Sequence, residues 1–210
     1  TWLDEAITAG TFTSNADNAL FPFSGSPPHQ NPFYESYEVE GRDDWAAPES
    51  IVDPMNATSD PRREAFFTDA KSDESGNQFI GFPYGLSEGA AQSLFTSGSF
   101  SRPSEQVAQS PSAPAILMLY DEVLFIKAEA QLRGLNVPSI SQSGQQLYED
   151  AIRASMRYWG VPNTNPEPGV NSIQEYFNQS GVPANVNSNN YRQVLGKQKW
   201  IAQYLQGVPG

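Results

Sequence analysis

Apolar side chains recur three and four positions apart over long runs only in the second half of this chain; in the first half, proline and glycine cut such runs short. From Ala115 to Arg133 the spacing sets Leu117, Tyr120, Leu124 and Ala128 on one helical face, widened by Ile116, Val123 and Ala130. A stripe that broad predicts a helix touching neighbours on two sides, ended by Gly134. After the loop "NVPSISQSG", Ser143 and Gln146 stand at capping-box spacing and open a second helix. It runs to about Trp159, turns Tyr148, Ala151, Ile152, Ser155 and Trp159 to one side, and stops at Gly160. "PNTNPEPGVN" is a proline-rich break, after which Ser172 and Glu175 repeat the capping-box spacing before a short helix closed by Gly181. A last helix from about Asn190 places Tyr191, Val194, Ile201 and Leu205 on one face. Gly196 inside it is a weak point or a place where another helix comes close. Trp159 and Trp200 fall at core spacing and are expected to be packing residues.

The first two of these helices are predicted to lie antiparallel. Ala128 and Ala130 let the partner approach, and Tyr148 and Ala151 supply the facing surface, which is the outline of a tetratricopeptide-like hairpin. The expected fold is mainly α, with tetratricopeptide-like helical hairpins and long ordered irregular loops. Lys127 and Glu129 interrupt the otherwise apolar first helix. Glu129 is read as a partly buried carboxylate tied to a neighbouring group, since a catalytic acid lacks a second carboxylate at a matching position.

The first half predicts short helices at Trp2 to Ala9, closed by Gly10, and near Pro48 to Asp53, where Pro54 stops or kinks the run. Asp60-Pro61 has the form of an N-cap followed by proline at the first helical position. Between them lie loops rich in aromatics, including Phe12, Phe21, Phe23, Phe33, Phe66 and Phe67. Disordered chains are poor in such residues, so these loops should pack. Residues 87–114, rich in serine and small side chains, are expected to be the least ordered part.

Composition removes several function classes. No apolar run approaches the roughly 20 residues of a bilayer span, and no leader of secretory type opens the chain. Cysteine is absent, which excludes disulfides, zinc-thiolate sites and thiol nucleophiles. The one histidine, His29, is read as an exposed loop residue. The net charge of −12 is concentrated: residues 1–110 carry 17 acidic and 5 basic side chains, and residues 111–210 carry seven of each. That balance disfavours nucleic acid as a partner and leaves neutral ligands open. Acidic clusters at Asp43-Asp44 and Asp69 to Glu74 show no EF-hand pattern, and no glycine-rich phosphate loop is present. No cofactor or metal is expected.

The ordered set "LYDEVLFIKAEAQLRG", "LYEDAIRASMRYWGV" and "VLGKQKWIAQYLQG", together with "SNADNALFPFSGSPPHQNPFY", "GRDDW", "DPRREAFF" and "FIGFPYGL", resembles the SusD/RagB family of Bacteroidota outer-membrane lipoproteins, in its SusD-like branch. The resemblance runs along most of the chain. It implies a C-terminal portion of a SusD-like protein, with residues 1–110 forming a loop-rich ligand face and 111–210 the helical tetratricopeptide-like region. It also implies a binding protein and not an enzyme, one that captures oligosaccharide for a SusC-like TonB-dependent transporter. The location implied is the outer membrane at the cell surface, with the lipid anchor and signal peptide of the full-length protein lying outside this sequence. Within the family the cargo can instead be peptide. Outside it, the rival readings are a protein-binding tetratricopeptide adaptor and a glycoside hydrolase, which would need two carboxyl groups about 5–10 Å apart across a cleft.

Sugar recognition needs aromatic faces against apolar ring faces, with polar groups nearby for the hydroxyls. The chain offers that combination densely in "NPFYESYEVEGRDDW", where Phe33, Tyr34, Tyr37 and Trp45 are interleaved with Asn31, Arg42, Asp43 and Asp44. Tyr34, Tyr37, Arg42, Asp43 and Trp45 are the candidate ligand-binding residues. The alternative is that these aromatics plug the loop onto the core and that Arg42 pairs with a local aspartate.

Overall fold

The structure, a computed structural model, describes residues 1–42, 44–70, 78–164 and 172–206. In chain order its elements are α1 (Trp2–Ala9), β1 (Ala19–Phe21), α2 (Pro32–Tyr34), α3 (Glu49–Asn56), α4 (Arg63–Phe66), α5 (Glu88–Ser97), β2 (Ala115–Met118), α6 (Tyr120–Leu132), α7 (Gly144–Tyr158), α8 (Ile173–Asn178) and α9 (Tyr191–Ala202). They fall into two compact units: Thr1–Leu20 joined with Ile116–Gly210, and Phe21–Ala115. The first 20 residues therefore belong with the helical second half. The fold is mainly α, and no helix among the described residues is long and apolar enough to cross a membrane.

In the helical unit, α6 and α7 form the hairpin that the apolar spacing predicts. Leu124, Phe125 and Ala128 of α6 are buried with Leu147, Tyr148, Ala151 and Ile152 of α7. The rings of Phe125 and Tyr148 meet edge to face, 6.4 Å between centroids. Gly144 marks the closest approach: a Cβ there would lie 2.6 Å from Leu132 Cγ and 3.3 Å from the Ala128 carbonyl oxygen. The capping box is present, with Ser143 Oγ accepting from the Gln146 backbone and Gln146 accepting from the Ser143 backbone. Both helices end in the same way. Gly134 and Gly160 take left-handed φ of 67° and 78°. Leu135 and Val161 then donate back to Ala130 and Met156, closing Schellman turns.

Three expectations for this unit need correction. Helix α6 starts at Tyr120, not Ala115, because Ala115–Met118 is extended and paired with β1. Its first free N–H, on Tyr120, is taken by the side-chain oxygen of Asn18 at 2.7 Å, a partner 102 positions away that no local pattern reveals. Leu117 is consequently exposed. On α9 the buried residues are Leu195, Gln198, Ile201 and Ala202, with Tyr191 and Val194 half-buried and Leu205 beyond the helix end. Gln198 is buried because its amide donates to the Tyr176 hydroxyl at 2.9 Å. Trp200 is 48% exposed and is not a packing residue, whereas Trp159 is buried. Gly196 has open space where a Cβ would stand, so no helix among the described residues approaches it. The α8 capping box of Ser172 and Glu175 forms as spaced.

The charged pair within α6 resolves locally. Lys127 is half-buried and donates to Thr11 Oγ1 at 2.9 Å, and burial lowers its pKa. Glu129 pairs with Arg133 one turn on, at 3.3 Å. Tyr158 is more informative. Burial first, and the nearby Asp121 second, push its phenol up to about 12 from 10.0. The folded state thus favours the neutral phenol. Stability from this group is intact below pH 10 and is lost as pH rises toward 12, because the unfolded chain ionises first. Tyr158→Phe should blunt that alkaline loss, read as unfolding midpoints on either side of the window.

In the other unit, α3 buries Ile51, Val52 and Met55 and continues past Pro54 to Asn56, further than the sequence predicts. Asp60 accepts the Arg62 backbone N–H as a cap would, at 3.0 Å. However, α4 begins only at Arg63, and the Asp60 carboxylate is the partner of the fully buried Arg62 guanidinium. Residues 87–114 are structured, against that expectation. Residues 88–97 form α5, and Phe100, Ser101, Ser104, Val107 and Ala108 are buried. Phe100 packs with Phe82 and Phe95 under the Arg102 guanidinium, and Ser104 Oγ donates to the Ala65 carbonyl. Small polar residues here serve close packing, which composition alone does not show.

Candidate ligand-binding surface

The aromatic segment is anchored by Asn31, which is 4% exposed. Its Oδ1 accepts the N–H groups of Phe33 and Tyr34, at 2.7 and 3.4 Å, while its Nδ2 donates to the Ala113 carbonyl at 2.6 Å. Its own N–H donates to Pro111. With Pro32 at the first helical position, this starts α2, and the chain winds on through a π-helical turn over Glu35–Val39. The segment read from sequence as a loop is therefore helical. Phe33 and Tyr37, four residues apart, share one side of it.

Trp45 meets both. Its ring lies 5.5 Å from Phe33 at 79° and 6.2 Å from Tyr37 at 62°, edge-to-face geometry in each case. The strand-like run that follows Trp45 is fixed on both sides. Ala47 donates to the Ser101 carbonyl, Phe82 donates to Ala47, and Glu49 donates to Phe82. Gly81 makes this possible: a Cβ there would lie 2.2 Å from Glu49 Cα. Phe33 is 42% exposed, and Tyr37 and Trp45 are half-buried. The three rings form a partly open aromatic cluster on a pinned backbone.

Of the residues expected at the site, Tyr37 and Trp45 come together, while Tyr34 is half-buried and lies outside the ring contacts found among the described residues. Arg42 grips Asp44 through two bonds, Nε to Oδ1 and Nη2 to Oδ2, both 3.0 Å, with both side chains more than half exposed. The hydrogen bond from Arg42 holds the Asp44 carboxyl below its ordinary range, so it stays ionised and is unsuited to act as a general acid. Asp43 lies outside the described residues. Phe33 and Asp44 are the additions the geometry makes. The signal for Phe33 is its four-residue spacing from Tyr37, meaningful only once the segment is known to be helical.

Residues 1–210 match the family model of SusD-like proteins described as "starch-binding associating with outer membrane". No curated protein matches. Among solved structures, a SusD homolog from Bacteroides fragilis NCTC 9343 superposes with a TM-score of 0.74 at 21% identity, over 95% of this chain and 45% of that one. A second SusD homolog, from Bacteroides thetaiotaomicron VPI-5482, gives 0.69 at 24% identity, over 97% and 43%. A chitin-binding SusD homolog from Flavobacterium johnsoniae gives 0.65 at 22%, over 94% and 41%. The chain spans less than half the length of these relatives.

Proposed function

This chain belongs to the SusD/RagB family, in its SusD-like branch, and on that premise we propose that it is a surface glycan-binding protein. It captures oligosaccharide, without cleaving it, for uptake by a partner SusC-like TonB-dependent transporter in the outer membrane, where the full-length protein is lipid-anchored. Starch binding in the family description and chitin binding in the Flavobacterium relative favour a glycan over a peptide as cargo. The observation that carries the reading is Trp45, held edge-on by Phe33 and Tyr37 and half-open to solvent. Apolar faces of sugar rings stack on such rings, and a pinned ring loses little entropy on binding.

The test is calorimetric titration of starch- and chitin-derived oligosaccharides into the wild type, Tyr37→Ala and Trp45→Ala. Trp45→Ala should weaken binding about tenfold or more, equivalent to about 1.4 kcal/mol. Tyr37→Ala should cost less, and both variants should keep the far-ultraviolet spectrum of the wild type. Arg42→Ala should change affinity little, since Asp44 already occupies that guanidinium. Unchanged affinity in Trp45→Ala rejects the assignment. Peptide binding in place of glycan moves the protein to the other cargo class of the family, and sugar release from the titrated oligosaccharide makes it a hydrolase.

A further inference from the structure

The chain carries a net charge of −12, yet residues 176–210 contain Arg192, Lys197 and Lys199 and no Asp or Glu. In that region a groove of about 510 Å³ opens between the end of α6 and the start of α9. Leu132, Arg133, Ser188, Asn189, Tyr191 and Arg192 line it. Its volume falls within the roughly 300–1,000 Å³ of small-ligand sites. Among the described residues no carboxylate lines it, although the protein as a whole is acidic.

The two arginines enter from different helices and are only lightly engaged. Arg133 gives one nitrogen to Glu129 at 3.3 Å, an exposed i,i+4 pair that water screens strongly. Arg192 donates through Nε to the Tyr191 hydroxyl at 3.4 Å, and no carboxylate among the described residues lies within ion-pair distance of it. Two such guanidinium forks match the planar, two-oxygen geometry of a carboxylate. The Tyr191 ring, the Asn189 amide and the Ser188 hydroxyl add what a sugar ring and its hydroxyls require. A bare inorganic ion could accept from the hydroxyl and the amide but would leave the ring unused.

We propose that this groove is an anion subsite for the carboxylate of an acidic sugar residue of hexuronic acid type. It rests on the glycan-binding reading but not on the aromatic cluster around Trp45. Through it the protein takes acidic glycans in preference to their neutral counterparts.

The experiment titrates the 210-residue protein with a hexuronic-acid oligosaccharide, with its neutral counterpart and with inorganic sulfate alone. It compares the wild type with Arg133→Ala, Arg192→Ala, Arg192→Lys and Trp45→Ala. Both arginines are exposed, so the variants are expected to fold. The acidic oligosaccharide should bind about tenfold tighter than the neutral one, a preference that added salt weakens. Arg133→Ala and Arg192→Ala should abolish the preference, Arg192→Lys should keep part of it, and Trp45→Ala should leave it in place. Equal binding of the two oligosaccharides by the wild type, or an unchanged preference in Arg192→Ala, overturns the proposal. So does sulfate binding as tightly as the acidic sugar, which would make the groove a site for an adventitious ion only. Failure of neutral glycans to bind, with the acidic preference intact, would instead count against the aromatic cluster.

Discussion

Arg62→Ala is expected to destabilise the unit formed by Phe21–Ala115 by about 3–5 kcal/mol, seen as a large drop in its denaturant midpoint. Arg62 is fully buried, and its Nε and Nη2 bond to Asp60 Oδ1 and Oδ2 at 2.9 and 2.5 Å. Removing the guanidinium strands the Asp60 carboxylate where water cannot reach it, and that uncompensated charge sets the size of the effect. The pair itself is not a large net gain, because taking two ions out of water offsets most of their attraction. The double replacement Asp60→Leu with Arg62→Met should therefore cost much less than Arg62→Ala alone. A midpoint that does not move in the single variant would show that the carboxylate is solvated after all.

Phe125→Ala should cost the helical unit about 3–5 kcal/mol, the range for emptying a well-packed aromatic site. The ring is fully buried in the cluster of Leu124, Ala128, Leu147, Tyr148 and Ile152, and it touches Tyr148 edge to face. Phe125 joins α6 to α7, so the loss reports on the hairpin and not on either helix alone. Phe125→Leu should recover part of it by refilling volume. Thermal unfolding followed by circular dichroism checks both, and a loss below about 1 kcal/mol would mean that the two helices do not share a packed interface.

Helices α6, α7 and α8 are legible in sequence because their signals are local and redundant. Ser143 with Gln146, Ser172 with Glu175, and the glycines at 134 and 160 each act within a turn of where they stand. What was not legible depends on partners far along the chain. The start of α6 is set by Asn18, and the order in residues 99–109 comes from Phe82 packing on Phe100 and from the Ala65 and Phe66 carbonyls, which accept from Ser104. Apolar spacing draws the α9 face through Tyr191, Val194, Ile201 and Leu205, of which Ile201 is buried, because a pattern of apolar letters cannot show a buried glutamine satisfied by Tyr176. At the candidate surface the residue types were visible. Their arrangement was not, since Asn31 makes helical what the prolines suggested was loop, and only that turn brings Phe33 beside Tyr37 and Trp45. The Arg42–Asp44 fork is the pairing that the sequence offers as the alternative to ligand binding by that arginine.

Glycan capture by this surface depends most on a sugar ring meeting the partly open indole at position 45. Following the four tryptophan side-chain N–H resonances during titration with a neutral oligosaccharide reads that contact directly, with Trp45→Phe identifying the signal. The Trp45 resonance should move saturably with glycan while those of exposed Trp2 and Trp200 and buried Trp159 stay in place. Bound glycan with the Trp45 signal stationary would contradict it.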